Sequence, residues 1–97
     1  MDKDSIFVIT TLKYSYDKTR TVGWYNKLEN AIQAVENNYG DMHEGSNWYC
    51  VIEEVEPGIY SCPPKQEIWF KWSKQEEGYL RCNKPEHLNR ICSFGIG

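Results

Sequence analysis

Asn26-Lys-Leu-Glu-Asn-Ala-Ile-Gln-Ala-Val-Glu-Asn-Asn-Tyr39 decides the fold, because it is the longest run in the chain with a helical period. Leu28, Ala31, Ile32, Val35 and Tyr39 recur at i, i+3, i+4, i+7 and i+11 and so line one stripe, while Glu29, Asn30, Gln33, Glu36 and Asn37 face away. Asn26 and Glu29 have the spacing of a capping box, in which the Asn26 side chain accepts the Glu29 backbone N–H and Glu29 reaches back. The spacing predicts one long helix over 28–39, closed by Gly40 in a left-handed conformation. A helix with a single apolar stripe needs a broad surface to bury it, and the rest of the chain supplies strands.

Upstream, Ser5-Ile-Phe-Val-Ile-Thr-Thr-Leu-Lys-Tyr14 is β-branched and aromatic, Tyr16-Asp-Lys-Thr-Arg20 has turn-forming types, and Thr21-Val-Gly-Trp-Tyr25 reads as a returning strand. Gly23 marks either a bulge or a close approach of another backbone. Downstream, the polar connection 41–47 leads into the strand Trp48-Tyr-Cys-Val-Ile-Glu-Glu-Val-Glu56, which Pro57-Gly58 ends. Ser61-Cys-Pro-Pro64 resists helix and ladder alike, so 57–66 is expected as an irregular loop. Glu67-Ile-Trp-Phe-Lys-Trp-Ser73 and Tyr79-Leu-Arg-Cys82 then flank a charged, glycine-bearing turn, Lys74-Gln-Glu-Glu-Gly78. Lys84-Pro85 should open a short helix with Leu88, Ile91 and Cys92 on one face, followed by Phe94 and Ile96 as apolar plugs. The expected order is ββαβββα in a single α+β domain over 1–97: a twisted antiparallel sheet of four to five strands, the long helix across one face and a short C-terminal helix.

Composition narrows the function classes. The chain has 97 residues, a formal charge of -3 and four tryptophans with seven tyrosines, more rings than a minimal core of this size requires. An acidic balance argues against sequence-independent binding to duplex nucleic acid, which works by cations displacing counterions from phosphates. No run of 18 apolar residues and no secretion-type leader is present, so the expectation is a cytoplasmic protein without a membrane partner. Cys50, Cys62, Cys82 and Cys92 form no CxxC pair and read as free thiols, with no metal and no cofactor implied.

Several constellations could carry chemistry. Asp41, His43 and Glu44 form a carboxylate-imidazole group, but three neighbours in a polar connection fall short of convergent metal ligands. His87 and Cys92, five residues apart, would sit about 140° apart around a helix and so make a poor base and nucleophile pair. No glycine-rich phosphate loop, HExxH or serine-triad signature occurs, and the expectation is that the chain is not an enzyme. Alternation on a strand places Trp69 and Lys71 on one face, an indole beside an ammonium, and Arg81 on the paired strand could extend that patch with a forked phosphate contact. Trp24, Tyr25, Trp48 and Tyr49 flank the helix as rim or pocket walls, with Arg20 the nearest cation. The candidate ligand-binding set is therefore Arg20, Trp24, Tyr49, Trp69, Lys71 and Arg81. Glu53, Glu54 and Glu56 make an acidic strand, expected as an exposed edge that resists pairing with other chains.

Asn30-Ala-Ile-Gln-Ala-Val-Glu-Asn37 with Asp41 and Glu44, Val51-Ile-Glu-Glu54 with Gly58 and Tyr60, Trp69-Phe-Lys-Trp72 and Phe94-Gly-Ile-Gly97 together resemble small accessory proteins carried by phages, prophages and other mobile elements of Gram-positive bacteria. The resemblance spans nearly the whole chain after Ile6. It implies a counter-defence setting in the host cytoplasm. The first expectation is a protein that binds and sequesters a nucleotide second messenger, cyclic or of the ADP-ribose type, without turnover, in a cleft completed by a homo-oligomer. The alternative is an inhibitor of a host defence protein, with the acidic strand as phosphate mimic and the aromatic residues as anchors.

Overall fold

The computed structural model describes residues 5–13, 19–41, 48–56 and 65–86. Its elements are β1 (Ile6–Leu12), β2 (Thr19–Tyr25), α1 (Leu28–Glu36), a 3-10 turn (Tyr39–Asp41), β3 (Tyr49–Val55), β4 (Gln66–Ser73) and β5 (Gly78–Cys82). All neighbours pair antiparallel in one five-stranded sheet of order β2-β1-β3-β4-β5.

The expected ββαβββα layout with a short C-terminal helix is overturned: the protein is mostly a five-stranded antiparallel sheet with a single α-helix among the described residues. Asn83, Lys84 and Pro85 follow β5 without regular structure, and only Glu86 begins a 3-10 turn. Two forces oppose a helical start there. A residue before proline is pushed out of the helical region, and the Lys84 ammonium reaches back to the Glu67 carboxylate on β4 at 3.1 Å. Leu88, Ile91, Cys92, Phe94 and Ile96 lie outside the described residues.

The helix is also shorter than its period promised. Lys27 occupies the N-cap in an extended conformation with no side-chain cap, so Asn26 stands one residue too early for its capping box. At the other end, Asn37 N–H bonds the Gln33 carbonyl at 3.0 Å and Asn38 N–H bonds that of Val35 at 3.1 Å. Asn38 carries the left-handed step that ends α1, at φ 51°, two residues before Gly40. Asparagine accepts that conformation more readily than most residues, which explains the early stop. Tyr39 is thereby thrown off the stripe and is exposed, and the buried helical residues are Ala31, Ala34 and Val35.

Both faces of the sheet carry buried residues at its centre. Against α1 lie Ile9, Cys50, Ile52, Ile68, Phe70 and Tyr79, with Phe7, Tyr25, Leu28, Ile32 and Trp72 packed around them. On the second face Leu12, Val51 and Trp69 cluster with Tyr49 and Cys82. Two-sided burial explains why Cys50, Val51, Ile52 and Glu53 are enclosed in succession instead of alternating with exposed residues.

The sheet order reverses two further expectations. Thr19 and Arg20 belong to β2, not to the turn before it. The acidic strand is β3, the centre of the sheet and not an edge, and Glu53 is 0% exposed. The real edges are β2 and β5. On β2 the pairing with β1 slips between Ile9 and Thr10, leaving Val22 as the extra residue beside Gly23. A Cβ on Gly23 would meet nothing within 4 Å, so the glycine lies beside the bulge and not at a close approach.

No helix among the described residues is long and apolar enough to cross a membrane.

Candidate functional site

The six candidate residues do not converge. Arg20 and Trp24 are on edge strand β2 and Arg81 is on β5, four inter-strand spacings away, or roughly 19 Å at about 4.8 Å each. Register settles the faces. Thr11 lies opposite Arg20 and Val8 opposite Trp24, so the two side chains leave opposite faces of the sheet, and Trp24 is 61% exposed. Arg81 lies opposite Phe70 and therefore stands on the α1 side, exposed at the open edge. It cannot extend a patch built around Lys71, contrary to expectation.

Tyr49, Trp69 and Lys71 do come together, on the second face. Tyr49 of β3 is directly opposite Lys71 of β4, and Lys71 is opposite Leu80 of β5, which makes one row across three strands. Val51, Trp69 and Cys82 form the next row. Lys71 is exposed, Tyr49 is half-buried and Leu80 is 49% exposed. The row thus presents an ammonium flanked by a phenol and an aliphatic side chain.

Trp69 has a different role from the one its letters suggested. At 3% exposure its ring offers no open stacking face, and its Nε1–H donates to Glu67 Oε1 at 3.1 Å. The same Glu67 oxygen receives the Lys84 ammonium at 3.1 Å. Trp69 is thus a wall beneath the Lys71 row, held by a carboxylate that is itself neutralised. Leu80 was missed in the sequence analysis. The only signal for it was the length of the Lys74 to Glu77 turn, which fixes its register against Lys71.

The thiols near this region are quiet. Burial pushes Cys50 well above the usual thiol range. Burial also raises Cys82, an effect the nearby Lys71 charge partly opposes. Nucleophilic chemistry needs a thiolate, so both act as small packing groups at neutral pH. His43 and Glu44 of the acidic connection, and His87 and Cys92, lie outside the described residues. Among the described residues no group of three His, Cys, Asp or Glu could hold a metal ion.

Comparison of the chain with family models, with curated proteins and with solved structures returns no match.

Proposed function

We propose that this chain is a non-catalytic binding protein that captures a nucleotide second messenger, cyclic or of the ADP-ribose type, on the row Tyr49, Lys71 and Leu80, as a phage counter-defence protein of the host cytoplasm would. The observation that carries this reading is the exposed Lys71 ammonium standing between a phenol and an aliphatic side chain on a three-stranded floor. A nucleotide offers the complementary pair, a phosphate for the ammonium and a flat ring for the less polar neighbours. Stacking on an aromatic ring contributes about 1–3 kcal/mol per base, and a hydrogen bond to a charged group about 1.5–3 kcal/mol. A sheet face alone encloses little of such a ligand, so two copies closing on it belong to the same reading.

Isothermal calorimetry against a panel of cyclic mono- and dinucleotides and ADP-ribose derivatives tests it. Saturable binding of one member, weakened at least about fivefold by Lys71→Ala and by Tyr49→Ala, is the expected result. A panel in which no member binds the wild-type chain ends the reading. So does binding that both substitutions leave unchanged.

A further inference from the structure

The opposite face of the same sheet end holds a second arrangement that the Lys71 row does not use. Trp72 N–H donates to the Trp48 carbonyl at 2.8 Å, so the two residues pair where the chain enters β3 beside the end of β4. Trp72 in turn lies opposite Tyr79 of β5, with ring centroids 5.1 Å apart and planes at 77°, an edge-to-face contact. Tyr79 is buried in the core and Trp72 packs against it, so of the three residues Trp48 stands furthest from the core cluster.

Above Trp48 stands a cation. The Lys74 Nζ is 5.5 Å from the centroid of the Trp48 ring. Among the described residues Lys74 makes no ion pair, although Glu76 and Glu77 belong to its own turn. The surroundings favour positive charge from several directions. Glu36 ends α1, and its carbonyl oxygen lies 3.6 Å from where a Cβ on Gly78 would be, which brings the negative end of the helix to this corner. No basic residue stands in the last turn of α1 to offset it. Glu36, Glu76 and Glu77 are all exposed.

We propose that the Trp48 indole is a binding site for an organic ammonium cation, in which the chain's own Lys74 holds the place of the ligand. An indole face attracts a cation through its quadrupole, most of all a cation too weakly hydrated to prefer water, and the acidic turn and helix C-terminus of this corner add a favourable field. A lysine reaching from the adjoining turn is the intramolecular version of such a ligand. The site faces away from Lys71 and does not depend on the nucleotide reading.

Titration with tetramethylammonium chloride, against potassium chloride at equal ionic strength, tests the site through the indole Nε1–H signals in NMR. In Lys74→Ala the cation should bind saturably and at least about threefold tighter than in wild type, with the largest shift at Trp48. Trp48→Leu in the Lys74→Ala background should abolish that binding. Should Trp48→Leu fail to fold, Trp48→Phe keeps a ring with a weaker quadrupole and should lose most of the gain. A peptide carrying trimethyllysine that binds tighter than tetramethylammonium assigns the natural cation to a protein side chain, whereas equal affinity assigns it to a free small molecule. No saturable shift in Lys74→Ala beyond the potassium control overturns the proposal, as does a shift that survives the loss of the Trp48 indole.

Discussion

Strand β3 is bracketed by β1 and β4, whereas β2 has β1 on one side only, and the two strands distribute their side chains in opposite ways. On β3 a glutamate, Glu53, is sealed from solvent; on β2 a tryptophan, Trp24, is 61% exposed. Position in the sheet order, not the polarity of the letter, decides which side chain meets water. Glu53 has interactions within the fold, which is how a carboxylate is tolerated in the central strand. Trp24 stands on an edge strand and leaves the face away from α1, with Arg20, Thr21 and Val22 exposed on the same strand. The lesson for function is that rings and charges counted from composition are not interchangeable, because Trp69 is a wall while Trp24 is displayed.

The sharpest way to break this contrast is to place the same charge on both strands. Val51→Asp puts a carboxylate on a fully buried site of β3 and should abolish cooperative folding, a loss of at least about 4 kcal/mol in denaturant titration followed by circular dichroism. Val22→Asp, at the exposed bulge of β2, should change stability by no more than about 0.5 kcal/mol. Equal losses at the two sites would show that edge and centre are not distinguished as described.

Alkaline pH separates them next. Cys50 on β3 has its pKa raised by burial, so the folded state keeps a proton that the unfolded chain releases near the ordinary thiol value of 9.0. Its contribution is fully present below that value and is lost as pH rises above it, by up to about 1.4 kcal/mol per pH unit. Denaturation midpoints between neutral and alkaline pH should fall with this slope, and Cys50→Ala should flatten it. A slope unchanged by Cys50→Ala would remove the central strand from the cause.

The smallest effect tests the seam between edge and interior. The hydroxyls of buried Thr10 on β1 and exposed Thr21 on β2 lie 3.3 Å apart. Thr21→Val should cost about 1 kcal/mol by leaving the Thr10 hydroxyl unsatisfied, and adding Thr10→Val should recover most of it in a double-mutant cycle.

The letters carried the individual segments further than their assembly. β-branched runs mark β1 and β3, an aromatic run marks β4, and the glycine-bearing turn marks the β4 and β5 hairpin, because these signals are local. The apolar period marks α1 but overruns it, since Asn37 and Asn38 end the helix through backbone preference before Tyr39 is reached. Which strand lies in the middle is a matter of pairing between distant segments, and nothing local in Glu53, Glu54 and Glu56 announces it. The Lys71 row was half legible for the same reason. Alternation on one strand placed Lys71 beside Trp69, but the neighbours across β3 and β5 come from register, and the burial of Trp69 comes from packing on the second face.

The sheet order also dictates how the molecule must assemble in time. The pairs β1 with β2 and β4 with β5 join segments close in the chain, and such hairpins zip within microseconds. The middle rungs are another matter: Ile9 meets Ile52 only after the whole helical crossover has been looped out, an entropic toll levied before any reward arrives. Nucleation of the native state therefore waits on β3 finding β1, and substitutions at that junction will register in the refolding rate, while those in the outer hairpins will register mainly in unfolding.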